Sequence, residues 1–399
     1  MDFLKNHRGK IALTVGAICG SAAYHLYSRY YSQSAAELLD RYLFPNDRIS
    51  HDNAEDTDKR VNYLFASNQA TANASVVELL PKITNKINEL YNVEAMADSL
   101  KTGGISVTET KDIWNRMKVQ AFTRVVVWIY GASLLIIVVK LQISILGSRT
   151  RIRCQTLMNS KLTDERSSSS DEDRVRSEQL FLQSAQYFIG PGLVYLASRI
   201  EAVVSQHFTD VQLSQKYNSG SVRDLLAMLC SEVESELAIV DSKSDQQYLE
   251  KSSSRCGKAA SCVSFCVIPF EHGKQLNGDA DLNSLFQECK CWLDSQPCLA
   301  LLSFCSGRFL KPFLSEIDQI WPTPGSALNK TDVGGIQKTE TSGVMLPLAK
   351  IIPLVTKLFS QIAMSLQRRS RILADVVQTE PFNAFNKSVF DTRVTQGSW

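Results

Sequence analysis

The stretch between Arg124 and Lys140 constrains the fold most, because it contains no charged side chain. A helix that is apolar on every side lies either in the centre of a large core or in a membrane. This stretch is shorter than the roughly 20 apolar residues that a transmembrane helix needs. The segment before it is amphipathic, with Trp114 and Met117 at helical spacing. We therefore predict a helix over 111–147 that leaves solvent at Trp114 and runs through the middle of a helical domain.

Two alternatives for this stretch remain open. Its many valine and isoleucine side chains are also typical of a buried β-strand. The length of the pattern and the absence of proline from Lys82 to Gly190 favour a helix. The second alternative is that residues 125–146 cross a bilayer as a further span. Lys140 inside that run argues against it, because an ionised side chain is costly in hydrocarbon.

Composition excludes several classes of protein. The 399 residues are enough for one large domain or two ordinary ones, and 44% hydrophobic and 21% charged residues are typical of a globular chain. The net charge is only +2 and no block is strongly basic, which argues against nucleic acid as the main partner. Ten cysteines at irregular spacing favour reduced thiols in the cytosol or nucleus over a disulfide scaffold.

The N-terminus has the pattern of a membrane anchor. Lys5, Arg8 and Lys10 make the tail 1–10 basic, and residues 11–27 are almost entirely apolar. A helix over 11–27 spans roughly 26 Å, enough to cross a thin bilayer once. A cleaved signal peptide is the alternative, but the rest of the chain has no secreted character, so we predict an uncleaved anchor. The distribution of positive charge alone would place the N-terminus in the cytosol.

The rest of the chain is predicted to be mainly α, within a helical domain over 28–377. Helical spacing of apolar residues recurs over 73–100, 193–213, 222–239, 283–320 and 344–373. Prolines are expected to kink the first of these at Pro81 and to break the 283–320 region near Pro297 and Pro312. Polar stretches predict flexible loops near 160–178, 242–261 and 321–342, and a polar C-terminal tail over 378–399.

No catalytic constellation is recognisable in the sequence. Cys289, Cys291 and Cys298 lack the C-x-x-C spacing of structural zinc sites, and the nearest histidine is the isolated His272. The chain contains no H-E-x-x-H, G-x-S-x-G or P-loop motif. We therefore expect no catalytic residue, metal or cofactor, and a protein that is not an enzyme. An anchored enzyme whose site is assembled only in three dimensions remains an alternative.

Recognition of another protein is the remaining class of function. Trp114 is predicted at the solvent end of the central helix, with Met96, Leu100 and Met117 close to it in sequence. Helical proteins bind amphipathic helices in apolar grooves lined by such side chains, and tryptophan is common among the residues that dominate binding energy. On the pattern alone, an ordinary core position for Trp114 is favoured.

Several segments resemble the peroxin-3 family, whose members are peroxisomal membrane biogenesis factors. The resemblance rests on matching residues, in order and spacing, at Phe3–Arg8, Ser67–Gln69, Leu79–Pro81, Ile113–Gly147 and Leu346–Pro353. It implies a mainly α fold with a single N-terminal transmembrane helix followed by an elongated cytosolic helical bundle. The tail 1–10 would then lie on the matrix side of the peroxisomal membrane.

The resemblance also implies a docking receptor for peroxin-19, the soluble carrier of newly made peroxisomal membrane proteins. The carrier's N-terminal amphipathic helix would bind in an apolar groove of the cytosolic domain, and other peroxisomal membrane proteins are further candidate partners. The lipid bilayer would be contacted through residues 11–27. A membrane-anchored helical scaffold of another organelle, with a different client, is the alternative.

The site residues are carried over one position at a time. Trp114 matches the tryptophan that packs against the carrier helix, Leu100 and Met117 match apolar groove positions, and Met96 lies one helical turn from Leu100. Two lysines, Lys101 and Lys118, are expected to pair with acidic residues of the carrier helix. Three basic residues are expected to serve in membrane targeting: Lys5, Arg8 and Lys10. The segment 346–355 matches an apolar stretch near the base of the domain, for which we expect a packing role.

Overall fold

The computed structural model describes the chain from Ala54 to Thr392 with internal gaps. The described residues are 54–102, 104, 106–159, 168–238, 262–269, 279–322, 344–368 and 370–392. The predicted tail 1–10, the anchor 11–27, the loop 242–261 and nearly all of the loop 321–342 lie outside these ranges.

Helices make up almost all of the described structure, which confirms the mainly α class. In chain order they are α1 (Ala54–Leu90), α2 (Val93–Thr102), α3 (Val107–Asn159), α4 (Ser168–Tyr187), α5 (Leu193–Phe208), α6 (Ser219–Ala238), α7 (Cys262–Val267), α8 (Ala280–Leu293), α9 (Gln296–Ile320), α10 (Leu348–Arg368), α11 (Ser370–Val377) and α12 (Glu380–Asp391). A two-residue strand β1 (Lys216–Tyr217) pairs antiparallel with β2 (Leu346–Pro347).

Helix α3 is the axis of the bundle, as predicted, and the β-strand alternative is wrong. Every residue from Ala121 to Ser148 is buried, because α1, α5, α9, α10 and α12 all pack around it. The uncharged composition of residues 125–139 follows from this position, since no side of that part of the helix meets solvent.

Three described helical stretches are long and apolar enough to cross a membrane by length and composition: Val107–Arg153, Asp173–Phe208 and Leu348–Ser365. The most apolar part of the first is buried entirely within the protein. Its apolar side chains therefore contact other helices of the bundle.

Glycine allows α1 and α3 to approach each other closely. A Cβ at Gly147 would lie 2.2 Å from Nδ2 of the buried Asn68, and 3.0 Å from the Phe390 ring. A larger side chain would therefore displace the Asn68 side chain and crowd the Phe390 ring. Both Asn68 and Gly147 belong to segments on which the family resemblance rests.

A buried polar cluster joins α3 to the C-terminal helices. Nζ of Lys140 donates to Oε1 of Gln69 and to the carbonyl of Val377, both at 3.1 Å. Nδ2 of Asn386 donates to the same Gln69 oxygen at 3.1 Å. Desolvation lowers the pKa of Lys140 to about 8, partly offset by the nearby Cys305 thiol. This cluster ties α1, α3 and the end of α11 to α12.

The C-terminal region differs from the predicted polar tail over 378–399. Helix α12 packs against α3 and α9 and buries Phe382, Phe385, Val389 and Phe390. These positions recur at helical spacing, but the polar residues between them keep the average hydropathy low. The prediction weighed composition over periodicity and therefore missed a core helix.

The break predicted near Pro297 is confirmed, because α8 ends at Leu293 and α9 begins at Gln296, whereas the break predicted near Pro312 is wrong. Pro81 lies inside α1 and Pro312 inside α9, and both helices continue past them. Pro297 lies in the first turn of α9, where the missing N–H costs no hydrogen bond. A π-helical turn, Phe188–Gly192, joins α4 to α5, and a Cβ at Gly192 would overlap the carbonyl of Cys266.

Two further boundaries differ from the expectations. The helix predicted over 73–100 divides at Asn92, whose Oδ1 accepts from the backbone N of Ala95 at 2.9 Å and caps α2. The loop predicted over 160–178 is helical from Ser168 onward. Two polar side chains of this helix bind residues distant in sequence: Oγ of Ser177 donates to Asp279, and Glu178 forms an ion pair with Arg153.

Candidate partner-binding site

The candidate site lies where α2 meets the N-terminal turns of α3. The two helices pack against each other, and the connection between them contains Gly104 with a φ of 84°. Residues other than glycine rarely adopt this left-handed backbone conformation. The reversal therefore depends on Gly104 and brings the end of α2 close to the start of α3.

A capping box begins α3. Oγ of Ser106 accepts from the backbone N of Glu109 at 3.2 Å, and the Glu109 carboxylate accepts from the Ser106 N–H at 3.0 Å. The backbone N–H and the Oγ of Ser106 both donate to the Glu109 carboxylate, and these two hydrogen bonds lower the pKa of Glu109. The predicted helix began at Lys111, whereas the helix in the structure begins at Val107. The S-x-x-E pattern at 106–109 is the sequence signal that indicates this earlier start.

Apolar side chains on α2 and α3 remain partly exposed. Met96, Leu100, Ile113 and Trp114 are half-buried and pack against the edge of the core; we call these four residues the α2–α3 patch. Trp114 is therefore neither fully exposed nor an ordinary core residue. An amphipathic helix could cover the accessible part of such a surface and bury more apolar area.

Met117 lies beneath this surface. Its side chain is only 2% exposed and belongs to the main core. In the described structure Met117 therefore supports the patch from inside. A partner helix on the protein surface would contact Trp114 before it reached Met117.

The two lysines predicted to pair with a carrier helix are in opposite environments. The Lys101 side chain is 76% exposed and pairs with Asp98 on the same helix, with an N–O distance of 2.8 Å. Lys118 is buried. Of the two, Lys101 has its charge at the surface in this structure.

The Lys118 side chain forms hydrogen bonds at the end of α5. Its Nζ donates to the carbonyls of Phe208 at 2.9 Å and Val211 at 2.7 Å. The Phe208 carbonyl lies at the C-terminus of α5, where the helix dipole attracts a cation, and Val211 follows just after the helix. Desolvation lowers the Lys118 pKa. The contact corrects our expectation of an accessible cation and gives Lys118 an internal role.

Arg124 holds α2 against the bundle, a role that the sequence pattern did not reveal. Its Nη1 donates to both carboxylate oxygens of Glu94, at 2.7 and 2.8 Å, and its Nη2 donates to Asn88 at 2.6 Å. The guanidinium also lies 4.2 Å from the centre of the Phe359 ring on α10. One side chain thus connects α1, α2, α3 and α10.

The comparison with known families is decisive at this point. A family model described as Peroxin-3 matches residues 103–392, which is more than two thirds of the chain. The chain belongs to the peroxin-3 family.

Similarity to individual peroxin-3 relatives extends over nearly the whole chain. Peroxisomal biogenesis factor 3 of Mus musculus is 24% identical, with 98% of this chain and 96% of the relative covered. The Homo sapiens protein of the same name is 25% identical over the same shares. Peroxisome biogenesis protein 3-1 of Arabidopsis thaliana is 27% identical over 55% of this chain and 60% of its own length.

The matched peroxin-3 region includes Trp114, Met117 and Lys118, whereas α2 with Met96, Leu100 and Lys101 lies before it. The structure nevertheless brings α2 and α3 together. Lys5, Arg8 and Lys10, which are predicted to serve in membrane targeting, lie outside the described residues.

Metal-binding groupings are absent from the described part of the chain. No group of three or more His, Cys, Asp or Glu side chains there could hold a metal ion. Cys289, Cys291 and Cys298 form no disulfide bond with another described residue, and burial raises the pKa of Cys298 to about 12. That thiol stays protonated near neutral pH and is a poor nucleophile or ligand.

Proposed function

We propose that this protein is a docking receptor of the peroxisomal membrane. It binds the N-terminal amphipathic helix of the carrier peroxin-19 and so brings newly made membrane proteins to the organelle. Membership in the peroxin-3 family and the names of the relatives support the general role, which is peroxisome biogenesis.

The observation that carries the proposed site is the partial exposure of Trp114 within the α2–α3 patch. A tryptophan buries a large apolar area at little cost in side-chain freedom, which suits an anchor for a helical partner. Lys101, exposed at the end of α2, offers a cation at the rim of the same surface. Met117 supports the patch from inside, and Lys118 serves the attachment of α5.

The proposed topology has a single membrane span. Residues 11–27 form the anchor, the tail 1–10 lies in the matrix, and the helical domain faces the cytosol. Lys5, Arg8 and Lys10 serve in targeting. A fusion of residues 1–40 to a fluorescent protein is expected to reach peroxisomes, whereas a location in another organelle would favour a different client. Protease protection of tags at either end tests the orientation.

The test of docking is direct binding. The full chain, in detergent or nanodiscs, is titrated against a fluorescent peptide of the carrier's N-terminal helix. Trp114→Ala is expected to weaken binding by about 2–4 kcal/mol, roughly thirtyfold or more. Its melting temperature should fall less than on loss of a fully buried tryptophan, because Trp114 is only partly buried at the edge of the core.

The matched control is Trp292→Ala. Trp292 is also half-buried, but it lies on α8 and packs against Phe385 of α12, with 5.7 Å between ring centres. This variant should bind the peptide as the wild type does. Equal binding by Trp114→Ala and wild type would move the site elsewhere, and a wild type that fails to bind would refute docking.

A further inference from the structure

Helix α2 has few attachments of its own. It has ten residues, and isolated helices shorter than about 12–15 residues are marginal in water. Val93 is its one fully buried side chain. Met96 and Leu100, which would contact a partner, are only half-buried. The position of α2 therefore depends strongly on specific contacts to its neighbours.

The Arg124–Glu94 ion pair joins α3 to α2. Arg124 lies inside, with a side chain 4% exposed, and Glu94 lies in the first turn of α2. Nη1 of Arg124 donates to both oxygens of the Glu94 carboxylate, and Nη2 donates to Asn88. These hydrogen bonds restrain the position and direction of the carboxylate. The ring of Phe359 on α10 lies against the guanidinium and restrains it further.

We propose that Arg124 is a positioning residue for partner binding, acting through Glu94. It holds α2, which carries Met96 and Leu100, against α3, which carries Trp114. When the pair is broken, α2 detaches locally from α3 while the rest of the bundle stays folded. The link to binding rests on the docking function proposed above, whereas the control of α2 by Arg124 does not.

The physical consequence is a change in the population of the competent state. For a partner that binds only when α2 is attached, the apparent affinity equals the intrinsic affinity multiplied by the fraction of molecules in which α2 is attached. Loosening α2 therefore weakens binding although no residue that touches the partner has changed.

Glu94→Gln is the variant of choice, because Glu94 is half-exposed and its replacement leaves the core intact. Hydrogen exchange of the full-length free protein is compared with that of wild type. Amides of α2 are expected to lose most of their protection and to exchange at least about tenfold faster, while those of α3 between Ala121 and Ser148 are unchanged. The carrier peptide is expected to bind about fivefold or more weakly, and saturating peptide should restore protection of α2.

Asp98→Asn is the matched control. It removes the same charge from the same helix, but Asp98 pairs only with the exposed Lys101 in α2. This variant should retain wild-type exchange in α2 and wild-type affinity. The proposal is overturned when Glu94→Gln leaves α2 exchange unchanged, or when Asp98→Asn weakens binding equally, which would indicate a general charge effect. Faster exchange together with a wild type that binds no peptide would retain the positioning role and refute docking.

Discussion

The two ends of the same helix differ sharply in what surrounds them. From Ala121 to Ser148, α3 is buried at every position, and even its cations lie inside. From Val107 to Arg116, the same helix is exposed or half-buried, and Val107 is 88% exposed. The buried end specifies the fold because other helices pack on all its faces. The exposed end retains apolar side chains without a full set of neighbours, which leaves them available for a partner.

The largest expected effect lies in the buried end. Trp128 is completely buried, its Nε1 donates to Thr84 at 3.0 Å, and its ring packs against Phe309 and Phe313. Trp128→Ala should lower the free energy of unfolding by about 3–5 kcal/mol, measured by urea denaturation. A loss no larger than that of Trp114→Ala would contradict the distinction between the two ends.

The second effect is a pH dependence that comes from Lys140. Its folded pKa, about 8, lies below the usual value of 10.5, so the unfolded chain binds more protons between these values. Stability from this group therefore rises as pH increases from 8 to 10.5. Between pH 7 and pH 10, wild type should gain about 2–3 kcal/mol relative to Lys140→Met. Urea unfolding of both proteins at the two pH values measures this.

Other groups titrate in that range as well, since burial raises the pKa of several thiols, among them Cys230. Their contribution is common to both proteins and cancels in the comparison. Lys140→Gln, which keeps a donor near Gln69, provides a second variant that also lacks the ionisable group. Parallel pH profiles for wild type and both variants would show that Lys140 does not titrate as stated.

A smaller effect is expected at the boundary between the two ends. Lys118→Met removes two hydrogen bonds to carbonyls at the end of α5. The free energy of unfolding should fall by about 1–3 kcal/mol, because buried acceptors lose their donor. Affinity for the carrier peptide should change much less than in Trp114→Ala. A stable Lys118→Met protein that has lost binding would instead support the ion pair expected from the resemblance.

The smallest effect is expected at the exposed Lys101. Lys101→Met should leave the free energy of unfolding within about 0.5 kcal/mol of wild type, as is usual for exposed surface positions. Peptide affinity should fall by no more than about 1 kcal/mol, and less at high salt, because exposed ion pairs are weak and screened. Titration at two salt concentrations checks this, and a loss as large as that of Trp114→Ala would make Lys101 a dominant contact.

Regular patterns made much of the fold predictable. The uncharged run between Arg124 and Lys140 predicted the central helix, and the position of Trp114 at its solvent end agrees with a half-buried side chain. Helix α12 was missed because its apolar residues are spaced among polar ones. The start of α4 was missed because its polar side chains are buried by contacts with distant residues such as Asp279 and Arg153.

Local sequence alone thus determined the helical class, the buried axis and the neighbourhood of the candidate site, because apolar periodicity acts over a few turns of one helix. Only the tertiary structure decided the environment of each cation. Lys101 and Lys118 look alike in sequence, yet one meets solvent and the other the carbonyls of α5. The roles of Arg124 and Lys140 were likewise set by distant partners, Glu94 and Val377. Desolvation and hydrogen bonding of a charge depend on which groups the fold brings to it, and helical spacing carries no information about them.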